Sequence, residues 1–211
     1  MENIKDKLKP LVKYTADKIF SIILLFLFSP LLTIIFLSIW LEGFFCSTSK
    51  GSALYKEVRI SQGKLFNMYK FRTLKTSVIE KMSPTGSATF LQTNRSNTTR
   101  TGKALVKFYL DELPQLFNIL KGEMSLVGPR PRIASVYEKD LKNGYSGLKF
   151  LKGGITGLHQ LSKGASNFSV NPDKSEEYYS KYKSCSAFQL LMYDINIMHR
   201  TCFKIIKGEG L

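Results

Sequence analysis

Ile19-Phe20-Ser21-Ile22-Ile23-Leu24-Leu25-Phe26-Leu27-Phe28-Ser29-Pro30-Leu31-Leu32-Thr33-Ile34-Ile35-Phe36-Leu37-Ser38-Ile39-Trp40 is the stretch that decides how the chain is read. It holds no charged residue, and only Ser21, Ser29, Pro30, Thr33 and Ser38 interrupt its apolar character. A helix needs about 20 such residues to cross a bilayer. The run is long for the apolar core of a secretory leader, and no clear small-residue cleavage site follows it. Ser29-Pro30 falls near its middle. Proline lacks a backbone donor and crowds the preceding turn, so a kink is expected there. The Ser29 hydroxyl is placed to bond a carbonyl that the kink frees. Each half is about ten residues, or roughly 15 Å of helix, and neither alone spans a hydrocarbon core of about 30 Å. The residues leave two readings open, a spanning helix that tolerates its proline and a re-entrant hairpin that turns at Ser29-Pro30. Lys5, Lys7, Lys9, Lys13 and Lys18 precede the run, and Lys50, Lys56 and Arg59 follow it. Positive residues prefer the cytoplasmic side and its anionic lipid, so basic flanks at both ends suit the hairpin.

The remaining composition narrows the partners. The 211 residues carry a formal charge of +15, which asks for an acidic partner: nucleic acid, an anionic membrane surface or phosphorylated substrates. No zinc, helix-turn-helix or RNA-binding pattern accompanies the charge, so nucleic acid is not expected. Cys46, Cys185 and Cys202 are odd in number and lack metal or redox spacing, which argues against a disulfide framework and for a reducing compartment. His159 and His199 lie far apart, which makes histidine-based hydrolysis and histidine metal sites poor candidates.

Past residue 51 the pattern becomes mixed and globular. The predicted division is a basic segment plus membrane helix over residues 1–45 and a catalytic domain over residues 46–211. Residues 65–72 read as a strand with Lys70 and Arg72 on one face and Tyr69 and Phe71 on the other, which suits either a phosphate contact or a solvated edge. Residues 76–101, rich in Ser, Thr, Asn and Gly, read as a long polar loop. Pro114 suits a first helical turn, Leu116, Phe117 and Leu120 an apolar face, and Lys121-Gly122 a stop. Asp111 and Glu112 then sit just before a helix N-terminus, where a cap and a reactive group are equally natural. Ser125-Leu126-Val127-Gly128-Pro129-Arg130-Pro131 reads as a rigid turn that restricts Arg130. Gly153-Gly154-Ile155-Thr156-Gly157 reads as a second, glycine-rich turn without P-loop or dinucleotide spacing. Residues 186–206 have helical apolar spacing and are expected to pack on the domain or lie on a membrane surface.

Leu110-Asp111-Glu112-Leu113-Pro114-Gln115-Leu116, followed by Lys121-Gly122-Glu123-Met124-Ser125-Leu126-Val127-Gly128-Pro129-Arg130-Pro131, resembles the signature of the bacterial sugar transferases, the monotopic polyprenol-phosphate phosphoglycosyl transferases. Tyr69-Lys70-Phe71-Arg72-Thr73 resembles that family's earlier basic motif, Ser29-Pro30 its helix break, and Ile155-Thr156-Gly157 its later glycine turn. The chain departs from the family at Val106, where an arginine often stands, at Gly153-Gly154, and at Lys13-Tyr14, where the family has a Lys-Arg pair.

The resemblance implies an α/β fold, mainly helical with few short strands, in which a re-entrant membrane helix precedes a compact membrane-associated domain. It implies a catalytic Asp111–Glu112 pair that also holds Mg2+, a UDP-sugar donor and undecaprenyl phosphate as acceptor. It places the reaction on the cytoplasmic face of the bacterial inner membrane, at the start of surface-glycan assembly. The expected mechanism has Asp111 attack the sugar-bearing phosphorus, with Lys70, Arg72, Gln115 and Arg130 binding substrate and the following helix N-terminus aimed at the same anions. A homo-oligomer fits this picture. The rival expectation, motivated by Val106 and Gly153-Gly154, is a non-catalytic membrane adaptor that binds lipid phosphate or a partner.

Overall fold

A computed structural model describes residues 4–81, 91–92, 94–162 and 173–206. Helix α1 (Ile4–Phe45) contains the apolar run and continues through Pro30. Pro30 has no N–H to give the carbonyl four residues back, which is that of Phe26. The Ser29 hydroxyl donates to the Phe26 carbonyl at 2.8 Å and Thr33 Oγ1 donates to that of Ser29 at 2.9 Å. The expected local repair of the backbone is thus present.

The stripe of α1 that packs on the protein runs its whole length. Lys9, Lys13, Asp17 and Ser21 are buried in its first half and Ile35 and Ile39 in its second, with Leu24, Leu25, Leu31 and Leu32 half-buried between. This spacing of three to four is one helical face. The opposite face exposes Ile22, Ile23, Phe26, Leu27, Phe36 and Trp40, Phe26 being 85% exposed. The segment Leu8–Phe45 is long and apolar enough to cross a membrane by length and composition.

Strands β1 (Leu54–Ser61) and β2 (Lys64–Phe71) form an antiparallel hairpin, with Glu57 opposite Met68 and Arg59 opposite Phe66. Gln62 and Gly63 turn the chain with φ of 50° and 70°, the pair of positive values that a two-residue hairpin turn needs. Residues 76–101 are not one open loop: α2 (Thr76–Glu80) and a short turn at Arg95–Asn97 interrupt them, and α3 (Arg100–Lys107) begins before their end. Residues 82–90 and 93 of that stretch lie outside the described residues.

Helix α4 (Gln115–Leu120) leads into β3 (Met124–Val127), α5 (Ala134–Lys142) and α6 (Gly147–Phe150). Strand β4 (Gly153–Thr156) then pairs parallel to β3. The expected glycine turn at 153–157 is therefore mostly a strand. Its glycines serve close backbone packing: a Cβ on Gly154 would stand 2.2 Å from the Gly128 amide nitrogen, and one on Gly157 2.2 Å from the Gly128 carbonyl oxygen. Helix α4 also departs from expectation, burying Leu116 and Ile119 and leaving Phe117 49% exposed. Helices α7 (Leu158–Ser162), α8 (Asp173–Ser184) and α9 (Ala187–Ile206) complete the fold, α9 matching the expected C-terminal helix. Phe66, Met68, Leu116, Ile119, Met124, Val127, Tyr178, Leu190 and Ile197 make the larger core. The described residues are mainly helical with four short strands.

Candidate active site

The Asp-Glu turn is held from both sides. Tyr109 takes a left-handed conformation (φ 54°), and Leu110–Glu112 follow as one tight helical turn that Pro114 passes into α4. Leu110 and Leu113 pack against the cluster that Ile35 and Ile39 of α1 make with Ala53, Phe71 and Leu105, so the turn shares a core with the half of α1 that follows Pro30. On its far side, Asn118 of α4 is fully buried; it accepts from the Tyr69 amide at 3.0 Å and donates to the Asn67 carbonyl at 2.8 Å. These bonds fix α4, and with it the turn, against β2.

Asp111 and Glu112 are 4% and 9% exposed. Lys70 Nζ reaches Glu112 Oε1 at 3.2 Å, and Arg130 Nη2 reaches the same oxygen at 3.5 Å. Burial pushes the Asp111 carboxyl up to about 6; the neighbouring Lys70 charge opposes that rise and the Glu112 charge adds to it. Glu112, Arg130, Gln115, Arg59, Met68 and Ile155 line one narrow cleft. The Gln115 side-chain nitrogen there is buried without a hydrogen-bond partner among the described residues.

Five of the six expected site residues therefore meet: Asp111, Glu112, Lys70, Gln115 and Arg130. Arg72 does not join them. It follows the end of β2, and its guanidinium donates to the backbone carbonyls of Ser52, at 2.7 Å, and of Ser49. It secures the segment that links α1 to β1. Those carbonyls carry no sequence signal, so strand alternation alone placed Arg72 beside Lys70.

Sequence reasoning missed Asn118 and the Glu57–Arg59 pair. Glu57 and Arg59 are 3% and 8% exposed and 2.6 Å apart. The available signal was opposite charges two apart in a strand, which share a face.

Among the described residues no three His, Cys, Asp or Glu side chains cluster as a metal cage. Two adjacent carboxylates are nonetheless the donor set that Mg2+ takes when substrate phosphates and water complete its shell.

The chain that carries this acidic turn, its two facing cations and the long apolar helix matches a known class by sequence. The bacterial sugar transferase family is matched over residues 8–208, and the chain belongs to that family. Among its relatives, the UDP-glucose:undecaprenyl-phosphate glucose-1-phosphate transferase of Klebsiella pneumoniae is 36% identical over 197 residues, covering 91% of this chain and 39% of that protein. The undecaprenyl-phosphate galactose phosphotransferase of Salmonella typhimurium is 35% identical over 219 residues, 99% of this chain and 43% of that protein. An uncharacterized sugar transferase of Haemophilus influenzae is 33% identical, over 95% of this chain and 42% of its own length. The chain thus spans less than half of each of these three relatives.

Proposed function

We propose that the protein transfers a sugar 1-phosphate from a UDP-sugar to undecaprenyl phosphate and releases UMP. The observation that carries this reading is the buried Asp111–Glu112 turn, with Lys70 and Arg130 converging on Glu112 at 3.2 and 3.5 Å. The names of the Klebsiella and Salmonella relatives supply the substrates.

In the first step an Asp111 carboxylate oxygen attacks the sugar-bearing phosphorus. The bond to the UMP oxygen breaks, UMP leaves with the electron pair, and an aspartyl-phosphosugar forms. In the second, an oxygen of the lipid phosphate attacks the same phosphorus, releasing Asp111 and giving lipid diphosphate-sugar. Lys70 holds Glu112 beside the nucleophile, and Arg130 offers a planar fork to phosphate oxygens. Positioning and charge stabilisation dominate phosphoryl transfer, which suits a site of fixed cations. Asp111 and Glu112 would hold Mg2+, which supplies charge neutralisation at the phosphates when bound.

Helix α1 supports a location on one side of the membrane. Near one end, Lys13 pairs with Asp194 at 2.6 Å; near the other, the Glu42 carboxylate accepts from the Arg100 and Thr101 amides at 2.8 and 2.9 Å. A helix bonded to one body near both ends cannot carry either end to the far side of a bilayer. This supports a re-entrant, monotopic placement with the catalytic residues at the cytoplasmic interface, where the acceptor phosphate lies.

The test is UMP release from UDP-sugars, Mg2+ and undecaprenyl phosphate by wild type and Asp111→Asn. Release by wild type that the variant loses supports the reaction. Release that survives in the variant removes Asp111 as nucleophile, and no release by folded wild type across UDP-sugars favours an adaptor.

A further inference from the structure

Glu57 and Arg59 have no role in the reaction as described above, yet they form a buried ion pair whose arginine lines its cleft. A buried pair is a weak source of stability, because desolvation offsets its attraction. Strand β1 aims Arg59 at the cleft through its pairing with the segment after β3. The Ile60 amide donates to the Arg132 carbonyl at 2.7 Å and the Arg132 amide to that of Ile60 at 3.4 Å, which holds β1 beside the segment after β3, and Arg59 and Arg130 line the same cleft. Three guanidinium groups, those of Arg59, Arg130 and Arg132, then crowd one side. Burial chiefly lowers the basicity of Arg59 and Arg132; Glu57 opposes this for Arg59 and Asp140 for Arg132, and repulsion from Arg130 adds to it. Each of the three already faces one carboxylate, Glu57, Glu112 and Asp140 in turn, and an anion between Arg59 and Arg130 would relieve the repulsion left between them. A second, independent feature points to the same ligand: the buried Gln115 amide nitrogen in this cleft, a donor without a partner among the described residues.

We infer that Arg59, Arg130 and the Gln115 amide form a subsite for a phosphate monoester dianion, with Glu57 as the positioning residue that orients Arg59. Guanidinium forks match phosphate oxygens in pairs. A guanidinium carries five donors, so contact with Glu57 through Nη2 is compatible with holding an anion through another nitrogen. The choice of ligand rests on the proposed reaction, in which both the departing UMP and the incoming lipid phosphate are monoesters.

The experiment titrates inorganic phosphate, and dimethyl phosphate as a diester control, into the full chain, read by 31P line broadening and by the shift in unfolding temperature. Arg59→Lys is expected to weaken phosphate binding by about tenfold or more, the scale of a charge-assisted hydrogen bond. Glu57→Gln is expected to weaken it less. Because Arg59→Gln alone would strand Glu57, the double variant Glu57→Gln/Arg59→Gln serves as the removal. Overturning results are parental phosphate affinity in folded Arg59→Lys and in the double variant, dimethyl phosphate binding as tightly as phosphate, or no phosphate binding by the parent.

Turnover assigns the source. In Arg59→Lys, a raised KM for lipid phosphate with unchanged UMP inhibition assigns the subsite to the acceptor, and the reverse assigns it to the nucleotide. If both stay unchanged, the subsite is refuted. Phosphate binding that depends on Arg59, in a parent that releases no UMP from any donor, would leave the subsite standing and remove the reaction.

Discussion

Asp111, the proposed nucleophile, is kept at a cost in stability. Its folded-state pKa, raised by burial from 3.8 to about 6, means that folding favours the protonated carboxyl. That contribution is present in full below about pH 4 and is lost as pH rises through about 6. At neutral pH the ionised group is a burden that an amide would not share. Asp111→Asn is therefore expected to melt higher than wild type at pH 7.5, by roughly 2–4 °C if the relief is about 1 kcal/mol, with the gap closing by pH 4.5. An Asn variant that melts at the wild-type temperature at both values would contradict the burial argument. For the reaction, kcat/KM is expected to fall on the acid side as Asp111 is protonated, with an apparent pKa no higher than about 6, since bound Mg2+ favours the carboxylate. At this scale the acidic pair was legible because Asp111 and Glu112 are adjacent and sit before a helix-starting proline. Arg72 was not, because the carbonyls of Ser52 and Ser49 that capture it come from a segment about twenty residues earlier.

Among the elements, the β3–β4 pair carries the sharpest constraint. Gly128, Gly154 and Gly157 meet backbone to backbone, and a methyl group at 154 would stand 2.2 Å from the Gly128 nitrogen. Neither backbone can yield without breaking the bond from the Gly128 amide to the Thr156 carbonyl at 3.0 Å. Gly154→Ala is expected to cost about 1–3 kcal/mol or more, measured by denaturant unfolding, and to loosen Arg130 two residues beyond Gly128. A fully stable Ala variant would show that the close approach is dispensable. The motif at 153–157 was visible in the sequence as glycine-rich; that it forms a strand depends on Gly128, a partner 26 positions away. Helix α1 is the opposite case. The uncharged run at 19–40 and the Ser29 repair of the Pro30 gap are both local and were readable directly, whereas the continuation of the helix from Ile4 to Phe45 was not.

For the molecule as a whole, the docking of α1 rests on charge. Lys13 meets Asp194 at 2.6 Å and Asp17 at 3.7 Å; Tyr178 donates to Asp194 at 2.7 Å, and Ser125 Oγ lies 2.6 Å from Asp17. This network ties the helix to α8, α9 and β3. Lys13→Met would leave two buried carboxylates without their cation, a loss of about 3–5 kcal/mol. Thermal unfolding checks it, and a change of under 1 kcal/mol would mean that apolar packing alone seats the helix. The exposed apolar side of α1 has its own reporter in Trp40, the single tryptophan, 58% exposed and stacked on Phe44. Adding anionic vesicles is expected to shift its emission to the blue, as an interfacial ring should. Unchanged emission with protein bound to the vesicles would place this end of α1 in water.

What the sequence by itself determined is what adjacent residues can state: an uncharged apolar run with a proline near its middle, an acidic pair before a helix start, and a strand ending in basic residues. Each rests on local periodicity, local charge or backbone chemistry within a few positions. Only the tertiary structure decided which cations the acidic pair meets, that Arg59 joins them and Arg72 does not, and that α1 is bonded to one body near both ends. Those outcomes depend on contacts between segments tens to nearly two hundred positions apart, such as Lys13 with Asp194. Packing and desolvation choose among the partners there, and no short stretch of chain holds that information.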